Sequence, residues 1–258
     1  MAHSNPILEL VDVSINFGGL QAIYRLSFQV ETGQIFSLIG PNGAGKTTAI
    51  NIITGIYPPV EGEVYFEGQA LSGKKPYQVA RMGIARTFQN IQVFQNMTVR
   101  ENVMVGFHAR SRCEFMRCLL RTPVVRKEER TIRRGCDEIL EFMGLASRAD
   151  LLAAGLPYGD QKKVEIARTL ATAPTLLLLD EPAAGLNAQE THEMSRTILM
   201  IRERGVTVLL VAHDMNLVMG ISDAIGVLNY GVKIADGHPA EIQNSEKVVS
   251  AYLGREPW

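Results

Sequence analysis

The sequence predicts an α/β protein with a mostly parallel sheet flanked by helices, an antiparallel β flank and an inserted helical subdomain. Three observations carry that prediction. Apolar runs at 35–39, 176–179 and 206–212 have the pattern of strands covered on both faces, as in parallel sheets. Two earlier segments, 7–15 and 24–30, alternate apolar with polar residues and read as half-buried strands of an antiparallel flank. From about Thr98 to Ala154 the apolar period becomes helical, through Val99, Val103 and Val105 and again through Ile139, Leu140, Phe142, Met143 and Leu145. The expected segments are therefore 7–97 (flank and first part of the core), 98–172 (helical subdomain), 173–237 (second part of the core) and 238–258 (a short tail).

The run at 35–39 feeds Gly40-Pro41-Asn42-Gly43-Ala44-Gly45-Lys46-Thr47-Thr48. This stretch fits the phosphate-binding loop G-x-x-x-x-G-K-[ST] with no forced position. Its glycines let the backbone wrap a polyphosphate and aim successive N–H groups at the oxygens. Lys46 adds a point charge for the β- and γ-phosphates, and the Thr47 hydroxyl supplies a magnesium ligand. A helix opening through Ala49-Ile50-Asn51-Ile52-Ile53 adds a dipole that favours anions. The strand before and the helix after separate this loop from a glycine-rich turn that happens to hold a lysine. By itself the loop specifies a P-loop NTPase and no more.

The composition is that of a folded protein. The 258 residues are 46% hydrophobic and 21% charged, enough for one large α/β domain or two small ones. A net charge of −1 provides no global basic field to recruit nucleic acid. The five histidines are scattered without metal-ligand spacing. Cys113, Cys118 and Cys136 form no C-x-x-C pair, which argues against a zinc site or disulfide framework and for a reducing compartment. Residues 1–6 lack the basic and apolar regions of a signal peptide. No apolar run approaches the ~18 residues of a membrane span, so action at a membrane would run through partners.

Along the chain, Gly18-Gly19 follows Phe17 and breaks the first strand. An exposed ring there can stack on a base, although the core is the default place for a lone Phe. Pro58-Pro59 is expected to stop the first helix, 62–68 to form a short strand, 77–83 to be helical and 84–90 to lead into a strand ending on a polar pair. Gln89 in that pair reads as ordinary exposed glutamine. The helical region holds a basic stretch of Arg110, Arg112, Arg117, Arg121, Arg126, Lys127, Arg130, Arg133 and Arg134. A solvated helix face is the favoured reading, with a face toward anionic lipid or another partner as the alternative. Residues 156–161 look like a turn before a strong helix at 162–171, and Asp160 falls where a carboxylate suits a helix dipole.

A second signal follows the tetraleucine run, which ends on Asp180-Glu181-Pro182. In P-loop enzymes an aspartate at the end of a neighbouring strand holds the magnesium shell, and Glu181 beside it is placed to polarise an attacking water. The third buried run ends at His213-Asp214, at a strand's carboxyl end where open α/β sheets bind ligands. That position favours a functional histidine over a structural one. A hairpin at 224–235 around Asn229-Tyr230-Gly231 and a short helical tail complete the chain.

Taken in order, these features resemble the ATP-binding cassette family of transporter ATPases over essentially the whole chain. The resemblance implies a RecA-like P-loop core binding ATP and Mg2+. It makes Phe17 the adenine-stacking residue and Gln89 a glutamine that contacts magnesium and water and faces the membrane partner. It makes Leu156 to Gln161, including Tyr158, Gly159, Asp160 and Gln161, the nucleotide-facing signature turn. Ala184-Gly185-Leu186-Asn187 becomes the D-loop, and His213 the switch histidine at the γ-phosphate. Lys46, Gln89, Glu181 and His213 are the implied catalytic set, with Thr47, Gln89 and Asp180 around the metal.

The Pro157-Tyr158-Gly159 signature, the run from Asp180 to Asn187, the Arg-rich insertion, the stretch from His213 to Asp223 and the Ala251-Tyr252-Leu253-Gly254 tail resemble one branch in particular. It is that of the larger ATPase subunit of branched-chain amino-acid importers. This implies two transmembrane permease subunits, a second ATPase sandwiching ATP, a periplasmic amino-acid-binding protein and a place at the cytoplasmic face of a bacterial inner membrane. Relative to the family's usual Leu-Ser-Gly-Gly-Gln, Pro157 replaces the serine, Tyr158 a glycine and Asp160 the glutamine; Asn187 replaces a D-loop aspartate. Pro157 offers neither hydroxyl nor N–H to a phosphate, so the two composite sites of a dimer need not be equal. A single-cassette exporter, for example of lipopolysaccharide, shares the catalytic features and is the alternative.

Overall fold

The computed structural model describes residues 6–108 and 123–253. Arg110, Arg112, Cys113, Arg117, Cys118 and Arg121 lie outside the described residues, as do residues 1–5 and Gly254. For Arg126 and Lys127 only the backbone is described. The described chain divides into two compact units, 6–86 with 175–253, and 87–174 less the undescribed segment.

The first unit contains two sheets. Strands β1 (Pro6–Phe17), β2 (Leu20–Glu31), β4 (Glu61–Phe66) and β5 (Gln69–Ala70) form an antiparallel sheet in the order β2-β1-β4-β5. The expected antiparallel flank is therefore a separate sheet, and the strand expected at 62–68 belongs to it. The second sheet contains β3 (Ile35–Ile39), β6 (Ile84–Arg86), β7 (Leu176–Asp180), β8 (Thr207–Val211), β9 (Ala224–Asn229) and β10 (Val232–Gly237). Its order is β10-β9-β3-β8-β7-β6, parallel throughout except at the β9–β10 hairpin.

All five residues of β3, β7 and β8 are buried, which explains why their sequences are continuous rather than alternating. Phe28 of β2 stacks on Phe36 of β3 with centroids 5.1 Å apart and rings 6° from parallel, joining the two sheets through one core. Such a pair contributes ~0.5–1.5 kcal/mol beyond its burial.

Helix α1 (Lys46–Ile53) follows β3 and ends with Thr54 as its C-cap, not at Pro58-Pro59. The Thr54 N–H donates to Ile50 C=O and the Gly55 N–H to Ile52 C=O, so the carbonyls at the helix end are satisfied before the prolines are reached. α2 (Pro76–Arg81) begins with proline at its first position, and β6 stops at Arg86 instead of running on to Asn90.

In the second unit α3 (Val99–His108), which carries the buried Asn102, packs against α4 (Pro123–Phe142) and α5 (Tyr158–Leu170). The Asn102 side chain donates to the Phe94 and Thr98 carbonyls at 3.0 Å each and accepts from the Phe94 N–H at 2.8 Å. The Phe88 N–H donates to Glu165 of α5 at 3.2 Å. These bonds tie the residues before Thr98 to the helices, so the unit begins at Thr87. Arg130, Arg133 and Arg134 are exposed.

The first unit is completed by α6 (Ala188–Glu203), α7 (Met215–Ile221), α8 (Pro239–Gln243) and α9 (Glu246–Leu253). Among the described residues, no helix is long and apolar enough to cross a membrane.

Candidate functional site

Strand register brings the expected site residues of the first unit to one edge. Leu38 of β3 pairs with Val211 of β8, and Val211 pairs with Asp180 of β7. The residues that follow these level positions, Gly40, Glu181 and His213, consequently leave the sheet at the same end. Glu181 is further fixed by its N–H, which donates to Val211 C=O at 2.8 Å. Its backbone is left-handed, with φ 51°. A non-glycine residue held there stores about 1–3 kcal/mol of strain, a feature concentrated at functional sites.

The loop 40–48 requires its glycines. Gly40 has φ 151°, and a Cβ there would meet Leu228 C=O at 2.1 Å. Gly45, with φ 102°, is the N-cap of α1, and a Cβ would meet Ala22 C=O at 2.9 Å. The first bond of α1 runs from Ala49 N–H to Gly45 C=O at 2.9 Å. The amides of Lys46, Thr47 and Thr48 precede that bond and present the helix's positive end. Lys46 is 7% exposed, and its ammonium donates to the Gly40 and Pro41 carbonyls at 2.7 and 3.0 Å. Burial holds it below the usual lysine range, against the opposing pull of the Glu181 and Asp180 carboxylates. A phosphate fits here: it would replace two neutral carbonyls with full negative charge beside a desolvated cation.

Asp180 is 3% exposed and accepts from Arg86 Nη2 at 2.9 Å. Burial pushes its carboxyl above the ordinary aspartate range, Arg86 and Lys46 counter that effect, and Glu181 adds to it. Glu181 Oε2 lies 3.5 Å from Nδ1 of the exposed His213. The next residue, Asp214, caps α7 by accepting from the Asn216 and Leu217 N–H groups at 2.9 and 3.1 Å, which fixes the turn that presents His213. Thr47 is exposed at the head of α1. Its hydroxyl and the Asp180 carboxylate are hard oxygen donors of the kind magnesium takes.

Phe17 is 44% exposed, so it does not take the default core position. Its ring meets Tyr57 edge-on at 5.1 Å and 71°, leaving it available to a base. Asn187 N-caps α6 through a capping box: the Glu190 N–H donates to its side chain and its own N–H donates to Glu190, each at 3.0 Å. An aspartate would make the same cap, so the capping box explains a short polar side chain here but not the replacement of the usual aspartate.

The remaining expected residues belong to the second unit. Gln89 is exposed near its start. The signature segment is the first turn of α5 rather than a turn ahead of a helix. Pro157 is the N-cap, and the Asp160 and Gln161 N–H groups donate to its carbonyl at 3.0 Å each. Tyr158 is exposed, and Gln161 turns back to donate to Leu156 C=O at 2.9 Å. Asp160 forms an ion pair with Arg148, so its charge at this helix N-terminus has a partner.

Three residues that the sequence did not mark also belong to the site. Arg86 donates both to Asn51 Oδ1 and to Asp180 Oδ2. Tyr252, in the tail helix α9, has its hydroxyl beside the Gly40 N–H. The hairpin turn contributes as well, with the Gly231 N–H donating to Ala44 C=O at 3.0 Å.

The chain matches the family described as ABC transporter over residues 23–184 and that described as branched-chain amino acid ATP-binding cassette transporter over residues 232–257. It is 44% identical over 252 residues to the high-affinity branched-chain amino acid transport ATP-binding protein BraF of Pseudomonas aeruginosa. The identity is also 44% to LivG of Escherichia coli K12, and each alignment covers 97% of this chain and 99% of the relative. Among solved structures, an ATP-binding cassette of an ABC transporter in its ADP conformation superposes with a TM-score of 0.85. It is 34% identical and the match covers 97% of this chain and 99% of the other. The strand ends, the phosphate loop and these likenesses agree, and the chain belongs to the ABC transporter family as an ATPase, among the ATP-binding proteins that include BraF and LivG.

Proposed function

We propose that this chain is the ATP-hydrolysing subunit of an importer for branched-chain or related amino acids. The observation that carries the reading is the meeting of loop 40–48, Asp180-Glu181 and His213 at one sheet edge, in a chain 44% identical to branched-chain transport ATPases over nearly its whole length. Those relatives are named for amino-acid transport, which disfavours the lipopolysaccharide exporter. The partners are two permeases, a second ATPase and, indirectly, a periplasmic binding protein, with this subunit peripheral on the cytoplasmic face of the membrane.

Phe17 stacks on adenine, and loop 40–48 with Lys46 holds the phosphates. Tyr158, Gly159, Asp160 and Gln161 face the nucleotide held by the opposite ATPase. Thr47 and Asp180 would hold magnesium, which would supply positive charge against that of the phosphates. Glu181 accepts a proton from water as the water oxygen bonds to the γ-phosphorus and the bond to the β-phosphate oxygen breaks, giving ADP and phosphate. His213 orients Glu181 and the γ-phosphate. ATP binding closes the pair of ATPases, and hydrolysis opens it.

The test is leucine uptake into vesicles holding the subunit with its neighbouring-gene permeases, second ATPase and binding protein. Uptake that requires ATP supports the reading. ATP hydrolysis without leucine, isoleucine or valine uptake overturns the assigned cargo.

A further inference from the structure

Arg86 ends β6, the edge strand beside β7, in register with Leu178. A charged residue against the tetraleucine strand has no packing reason to be there. Its fork spans two elements: Nη2 donates to Asp180 Oδ2 at 2.9 Å and Nη1 to Asn51 Oδ1 at 2.5 Å. The Arg86 and Asp180 side chains are 10% and 3% exposed, so the pair is shielded from solvent and salt. Asn51 lies four residues beyond Thr47 on α1, and that spacing places both on one helix face, a turn apart. The guanidinium therefore ties the helix that carries Thr47 to the strand that carries Asp180.

We propose that Arg86 is a positioning residue for the metal: it fixes the spacing between the Thr47 hydroxyl and the Asp180 carboxylate through Asn51, so that both reach one magnesium ion. The inference rests on the reading above that Thr47 and Asp180 are magnesium ligands. The planar fork is essential to it, because two acceptors on different elements are held at fixed directions only by a bidentate donor. A lysine keeps the positive charge and can satisfy one acceptor with comparable geometry. An alanine at Asn51 leaves the Arg86–Asp180 pair in place and cuts only the tie to α1.

The experiment uses the full chain with ADP bound and Mn2+ as the probe, read by electron paramagnetic resonance. ADP binding in EDTA is measured in parallel by calorimetry. Arg86→Lys and Asn51→Ala are each expected to weaken Mn2+ binding about tenfold, the loss of one charge-assisted hydrogen bond, and to leave ADP affinity in EDTA unchanged. Equal losses of Mn2+ and metal-free ADP binding would mean a general structural role and overturn the proposal, as would unaltered Mn2+ binding in both variants. Wild-type protein that binds no Mn2+ beyond that of free ADP would sink the ligand assignment itself, and the proposal with it.

Discussion

His213 Nδ1 stands 3.5 Å from Glu181 Oε2, although 32 positions separate the two in sequence. Parallel pairing of β7 with β8 creates the relationship, since Asp180 is level with Val211 and each strand releases its next residues at the same edge. The left-handed backbone at Glu181 and the Asp214 cap then set the two side chains. This geometry suits a base and its orienting partner, because a carboxylate that must accept a proton from water gains from a fixed direction.

Glu181→Gln keeps the size of the side chain and removes its basicity. Nucleotide binding should persist while hydrolysis falls ~10²–10⁴-fold, the usual contribution of a general base. The assembled transporter, assayed for phosphate release at saturating ATP, is the material to use. Adding His213→Ala to the Gln variant should cost little more, since residues acting as one unit are not additive. Wild-type turnover in the Gln variant would remove Glu181 from the chemistry.

Lys46→Ala removes the buried cation of the loop. Its ammonium holds the Gly40 and Pro41 carbonyls at 2.7 and 3.0 Å, so it also shapes the loop. Loss of a charge-assisted contact of ~1.5–3 kcal/mol corresponds to about a 10- to 100-fold drop in ATP affinity. Calorimetry with the purified chain gives the answer directly, and an unchanged dissociation constant contradicts the assigned role.

Glu165 gives a prediction about pH. It is 4% exposed, and burial raises its carboxyl above the ordinary 4.5 despite the Phe88 and Gln92 amides and the Arg168 and Lys162 charges, which act the other way. Between 4.5 and the raised folded value, the folded chain binds more protons than the unfolded chain. Stability at this group is therefore lost as pH rises through that window. Glu165→Gln keeps an oxygen to accept from Phe88 N–H and has no charge to bury. Melting temperatures should favour the variant at about pH 8, and its advantage should shrink toward about pH 5. A wild type that melts higher at the upper pH reverses the sign and defeats the account.

The core strands were legible because burial on both faces writes itself as an unbroken apolar run, as in 35–39 and 176–179. The phosphate loop was legible because only glycine fits beside Leu228 C=O and Ala22 C=O. Helix ends were less so. The prolines after α1 suggest a stop that capping at Thr54 already makes, and the signature segment reads as a turn although Pro157 caps a helix there. Arg86 and Asn51 passed unmarked, since each is an ordinary polar residue until β6 is laid beside β7 and α1. A long-range pairing of that kind leaves no local pattern. The one available signal was a cation at the end of a strand bordering four leucines.

Tyr252 shows the same limit from the other end of the chain. The sequence marks it only as part of a tail, yet its hydroxyl lies beside the Gly40 N–H; burial raises that hydroxyl above the ordinary tyrosine range while the amide counters it. The pairing brings a helix more than 200 residues away in sequence to the entry of the phosphate loop. Tyr252→Phe deletes one oxygen and leaves the ring to pack. Hydrogen exchange at the Gly40 amide should accelerate once the oxygen beside it is gone, and stability should fall by no more than about 0.5–1.5 kcal/mol, the net value of a full hydrogen bond. ATP affinity should decline with it, because a loop less fixed before binding loses more entropy on closing around phosphate. Exchange at Gly40 as slow in the Phe variant as in wild type would show that the loop is held by its glycines and Lys46 alone.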